Sequence, residues 1–65
     1  MTQKQRRKQI DARVEFIVGR DCSGLQINIM DINKVFQAAY QADDAGLNID
    51  EAVNRRYREL SEACK

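Results

Sequence analysis

The chain has no histidine and no proline, and only two cysteines among its 65 residues. Without histidine it lacks the side chain that most often moves protons near neutral pH. Cys22 and Cys64 stand far apart, with no CxxC spacing, so the usual zinc-binding sets are out of reach. The same spacing argues against a disulfide framework. Lys4, Arg6, Arg7 and Lys8 supply the positive start of a secretory signal, but Asp11, Arg13 and Glu15 break the apolar stretch that should follow. No run is long enough to span a bilayer. The expectation is a soluble cytoplasmic protein with reduced thiols and neither metal nor cofactor. Eleven basic and ten acidic residues leave a net charge of +1, which excludes a globally basic nucleic-acid binder but allows local basic patches.

There is no low-complexity tract and no internal repeat, so residues 1–65 read as a single small domain. A domain of this size buries only about 60% of its unfolded surface and is marginal alone. With disulfides and metal set aside, oligomerisation is the remaining source of extra core.

The pattern predicts a first helix over about residues 2–18. Ile10, Val14 and Ile17 recur at i, i+4 and i+7, with Phe16 and Val18 beside them. Gly19 is placed to end that helix in a left-handed conformation. Asp21-Cys22-Ser23-Gly24 reads as a turn. A strand is predicted over residues 25–30, with Leu25, Ile27 and Ile29 on one side and Gln26 and Asn28 on the other. Asp31 can cap a second helix over 32–44, with Ile32, Val35, Phe36 and Ala39 on its apolar face. Gly46 ends it. Asn48 then caps a third helix over 49–63, with Glu51 placed for a capping box and Leu47 able to staple onto Ala52. The buried stripe of this helix is Ile49, Val53, Tyr57 and Leu60, extending toward Cys64. Its outer face offers Glu51 to Arg55, Arg55 to Glu59 and Arg58 to Glu62 as i, i+4 pairs.

No catalytic set emerges. Ser23 and Ser61 lack a base, and adjacent Asp43 and Asp44 diverge on a helix. The chain therefore reads as non-enzymatic. The basic run Lys4 to Lys8 is either a phosphate-contacting arm or, on the favoured reading, a solvated first turn, since a helix start is a poor place for cations. Arg55, Arg56 and Arg58 read as a surface cluster paired with glutamates, with the Arg56 stem covering apolar surface. Cys22, beside Arg20, reads as inert.

A lone strand leaves unpaired backbone donors and acceptors. The simplest partner is a second copy of itself. The expected fold is therefore α+β and mainly helical, in the order helix, strand, helix, helix, as an intertwined homodimer with an intermolecular antiparallel two-stranded ribbon. Leu25, Ile27, Ile29, Val35, Phe36, Val53, Tyr57 and Leu60 are the expected interface. The first helix, through Ile10, Val14 and Ile17 with Phe16 at the lip, either lines a groove for a partner helix or closes the core.

From Leu25 onward the chain resembles the ribbon-helix-helix regulators. The features are the strand Leu25–Met30, a capped helix from Asp31, the Ala45-Gly46-Leu47-Asn48 connection and a helix from Ile49. That resemblance implies a DNA-binding ribbon on which Gln26 and Asn28 read bases. Met30 at the third outward position, and Asp50 and Glu51 in a turn that should anchor phosphate, depart from that pattern.

The whole chain is also similar to the very small early proteins encoded between the exonuclease and excisionase genes of lambdoid phages. The features are the Gln3-Lys4-Gln5-Arg6-Arg7-Lys8-Gln9-Ile10-Asp11 helix, the Gly24–Asp31 segment and the Asn54-Arg55-Arg56-Tyr57-Arg58 ending. This likeness implies a small homodimer in the cytoplasm of a bacterial host. It would act through a host or phage protein and favour lytic development. Protein–protein interaction is the leading expectation, and DNA regulation the alternative.

Overall fold

A computed structural model describes residues 2–64, leaving Met1 and Lys65, the two ends of the expected domain, outside the described residues. These residues form three helices, α1 (Gln3–Asp21), α2 (Ile32–Asp44) and α3 (Ile49–Ala63), with one 3₁₀ turn, Ile29–Asp31, leading into α2. Among the described residues there is no strand. The α+β class and the intermolecular ribbon are therefore overturned; the chain is all-helical.

The reason lies at Asn28. Leu25 and Ile27 do pack, partly buried, against the core, so the alternating pattern holds for its first half. Asn28 then turns the chain. Its side chain accepts from the Met30 amide at 3.1 Å, and its carbonyl accepts from the Asp31 amide at 2.8 Å. The side chain of a short polar residue has outcompeted the ladder. Ile29, expected inside, is 83% exposed. Asp31, expected to cap α2, lies in helical geometry with no side-chain cap, and instead pairs with Lys34 at 3.2 Å.

α1 runs past the expected stop. Gly19 has no left-handed backbone and sits inside the helix, which ends only when Cys22 sends its amide back to Val18. Its start is a capping box in which Thr2 and Gln5 satisfy each other's backbone amides. α2 ends in a Schellman closure. The Gly46 amide reaches Asp43 at 3.2 Å, the Leu47 amide reaches Ala42 at 2.8 Å, and Gly46 takes φ +72°, a region open to glycine. Asn48 caps α3 by accepting from the Glu51 amide at 3.1 Å.

Arg6 meets the end of α2 and Arg13 the start of α3, while Cys22 reaches Asn54, one turn further along. α1 and α3 therefore run in the same sense, and α2 runs back against both. Ile10, Val14 and Ile17 of α1, Val35 and Ala39 of α2, and Val53, Tyr57 and Leu60 of α3 form one buried cluster, joined by Cys22. Burying each large apolar side chain stabilises by roughly 1.5–3 kcal/mol. The residues assigned to a dimer seam are thus placed differently. Val35, Val53, Tyr57 and Leu60 are inside one chain; Leu25, Ile27 and Phe36 pack partly buried against them; Ile29 faces out. Ile10, Val14 and Ile17 fill the core, so of the two expected arrangements α1 takes the one that closes it. Cys64, the far end of the expected stripe, is exposed.

Candidate protein-interaction surface

α1 covers one side of the α2–α3 hairpin. The other side stays open, as a groove of about 550 Å³ that runs between the two helices. Its α2 wall is set by helical spacing, with Lys34, Ala38, Ala42 and Ala45 one turn apart along a single row. Its α3 wall is Ala52, Arg55, Arg56 and Glu59. The small side chains of Ala38, Ala42 and Ala45, with Ala52 opposite, leave the trough between them. Leu47 stands at one end, 63% exposed, held there by the closure that ends α2. Ile29 and Met30, 83% and 80% exposed, stand at the other end of α2.

The electrostatics divide the arginines into two groups. On α1, Arg6, Arg13 and Arg20 lie seven residues apart, hence on one row, and each holds an aspartate. Arg6 pairs with Asp43, its Nε donating to Oδ2 at 3.3 Å. Arg13 pairs with Asp50, and Arg20 grips Asp21 at 2.9 and 2.8 Å. These contacts hold the carboxyls of Asp43 and Asp50 below the usual range and draw Asp21 down to about 2, first through the Arg20 hydrogen bond and then through Asn54. On α3, Arg55 and Arg56 share one carboxylate, Glu59, at 4.0 and 3.6 Å, and neither hydrogen-bonds to it. The pairs expected between Glu51 and Arg55 and between Arg58 and Glu62 are not formed among the described residues.

The basic opening run resolves residue by residue. Arg6 is taken up by Asp43, and the Arg7 guanidinium lies over the Tyr40 ring at 4.6 Å, while Tyr40 donates its hydroxyl to Asp11. Lys4 and Lys8 make no ion pair among the described residues.

Phe16, the expected lip of a groove, sits outside α1 between the guanidinium groups of Arg13 and Arg20, at 5.5 and 5.2 Å. Gln26 is exposed and unassisted by a strand, and Asn28 is used as a cap. Among the described residues the pair therefore lies on no strand, the element that the ribbon-helix-helix resemblance placed it on.

Asn54 joins the end of α1 to α3. It donates to Asp21 at 3.2 Å and to the Asp50 carbonyl at 3.0 Å, and accepts from the Cys22 thiol at 3.4 Å. Burial pushes the Cys22 thiol above its ordinary range, which disfavours the reactive thiolate. No cluster of cysteine and carboxylate side chains among the described residues is arranged to hold a metal ion, and no helix is long and apolar enough to cross a membrane.

Sequence reasoning missed both the arginine row and the groove. The row was visible in principle: arginines at 6, 13 and 20 and aspartates at 43 and 50 share a seven-residue spacing, two turns of a helix. The groove had a fainter signal, Ala38 and Ala42 at helical spacing in α2 and Ala45 just past its end, with Ala52 opposite. Comparison of the chain with family models, curated proteins and solved structures finds no match.

Proposed function

We propose that the chain is a non-enzymatic protein-interaction module that works through the α2–α3 groove. One observation carries this reading. An alanine-floored trough with an exposed leucine at its end lies on the face that α1 leaves open, opposite the side on which Ile10, Val14 and Ile17 close the core. A trough of this shape suits the apolar face of a partner helix. Its lining is mostly alanine, amide and basic side chains, and its one carboxylate, Glu59, lies beside Arg55 and Arg56 rather than beside a hydroxyl or thiol nucleophile, which favours binding over chemistry. The likeness to lambdoid early-region proteins supplies the setting: a phage accessory protein acting on a host or phage protein in the bacterial cytoplasm and favouring lysis.

Site-specific photocrosslinking in bacteria expressing the full chain tests the reading. A benzophenone side chain at Ala38, in the groove, is compared with one at exposed Ala12 on α1. Ala38 gives a discrete adduct of higher mass, and Leu47→Glu suppresses it. Equal yield from both positions, or no adduct from Ala38, contradicts the proposal.

A further inference from the structure

We infer that the occupant of the groove is an amphipathic helix of a partner protein whose flanks are acidic. This rests on the groove being the binding face. Charge complementarity selects this occupant. Arg55 and Arg56 are neighbours on the α3 wall, with Glu59 as their single near carboxylate among the described residues, too far away for a hydrogen bond. Each guanidinium keeps donors free in a fork that matches a carboxylate. The arginines of α1 show the contrast, since Arg6, Arg13 and Arg20 already hold aspartates in two-point contacts. Across the trough Lys34 adds a third cation, paired among the described residues only with Asp31. The floor between is alanine, which accepts an apolar stripe without offering a deep pocket. A partner helix with small or leucine side chains on one face and glutamates beside them satisfies both walls at once.

A second copy of the chain fits less well. Ala52, Arg55, Arg56 and Glu59 form the α3 row, centred on the two arginines. A two-fold axis on that row sets the arginine pair of each copy against the other's, and each Glu59 against an alanine. Like charges then meet at the centre of the contact, where they are costliest.

The probes are two synthetic peptides of about 16 residues, long enough for nascent helix. Both carry the same leucine and alanine stripe, one flanked by glutamate and the other by lysine. Amide NMR shifts of the full chain report binding. The glutamate peptide moves Ala38, Ala42 and Ala52, and the lysine peptide does not. Arg55→Glu with Arg56→Glu weakens the glutamate peptide about tenfold or more and raises the affinity of the lysine peptide. Should that double variant fail to fold by circular dichroism, Arg55→Gln with Arg56→Gln keeps the test, with a smaller loss in the same direction. Equal binding of the two peptides, or binding of neither, overturns the inference. So does a dimer in sedimentation whose formation moves the same alanines. Loss of the peptide preference while Ala38 still crosslinks in cells removes the acidic occupant alone; loss of both removes the groove.

Discussion

Arg13 holds Asp50 through two parallel hydrogen bonds, Nε to Oδ1 at 3.0 Å and Nη2 to Oδ2 at 2.7 Å, across 37 positions of sequence. The contact fastens the middle of α1 to the first turn of α3, where Asp50 also faces the positive end of the helix dipole. In a double-mutant cycle with Arg13→Ala and Asp50→Ala, read by urea unfolding, the double variant is less destabilised than the two single losses combined. The coupling shrinks in ~1 M salt because both partners are solvent-accessible. Strict additivity of the two losses would show that the pair does not fasten the helices.

Asp21 contributes to the acid limb of the fold's stability. Its carboxyl is drawn from an ordinary 3.8 down to about 2 by Arg20 and Asn54. A carboxylate with a depressed folded pKa contributes its full stability above the unfolded value. That contribution drains away as the pH falls through the folded one. Stability therefore drops as the pH goes from 3.8 toward 2, with Asp43 and Asp50 adding to the same slope. Asp21→Asn flattens this acid limb in a pH series of urea melts. An unchanged slope contradicts the assignment.

The two isoleucines at Ile17 and Ile29 have opposite fates, one fully buried and the other 83% exposed. Ile17→Ala costs about 2–5 kcal/mol through lost burial and a cavity. Ile29→Ala stays within about 0.5 kcal/mol. A large cost at Ile29 would restore the strand reading, since an intermolecular ribbon needs that side chain inside.

The helices were legible because their ends are written locally. Asn48 and Gly46 mark boundaries through groups a few residues away, and the apolar rows of Ile10, Val14 and Ile17 and of Val53, Tyr57 and Leu60 follow helical spacing. The segment from Leu25 to Met30 was not, because alternation over six residues satisfies a strand template while saying nothing about a partner. The chain had no second strand, and Asn28 settled the matter with a local cap. The groove escaped notice for another reason. Ala38, Ala42 and Ala45 read as helix formers of little consequence until α2 and α3 are seen to approach across them, and the free donors of Arg55 and Arg56 show only once Glu59 is located at 4.0 and 3.6 Å.

Two glycines have opposite signs. Gly46→Ala forces a left-handed backbone on an L residue and costs about 1–2 kcal/mol. Gly19→Ala sits in a helix interior with no neighbour within 4 Å of the added carbon, and gains about 0.5–1 kcal/mol. Urea midpoints at constant slope check both. Stabilisation at Gly46 would place the end of α2 elsewhere.

The central claim is that one chain closes its own core with α1 on one face of the hairpin and leaves the opposite face open. Methyl NMR with a soluble nitroxide reads this directly. The account predicts that the Ala38, Ala45 and Ala52 methyls broaden while Ala39, buried between the helices, stays sharp, as do Ile10, Val14 and Ile17. Protected signals at Ala38 and Ala52, or bleached ones along the α1 row, would contradict it.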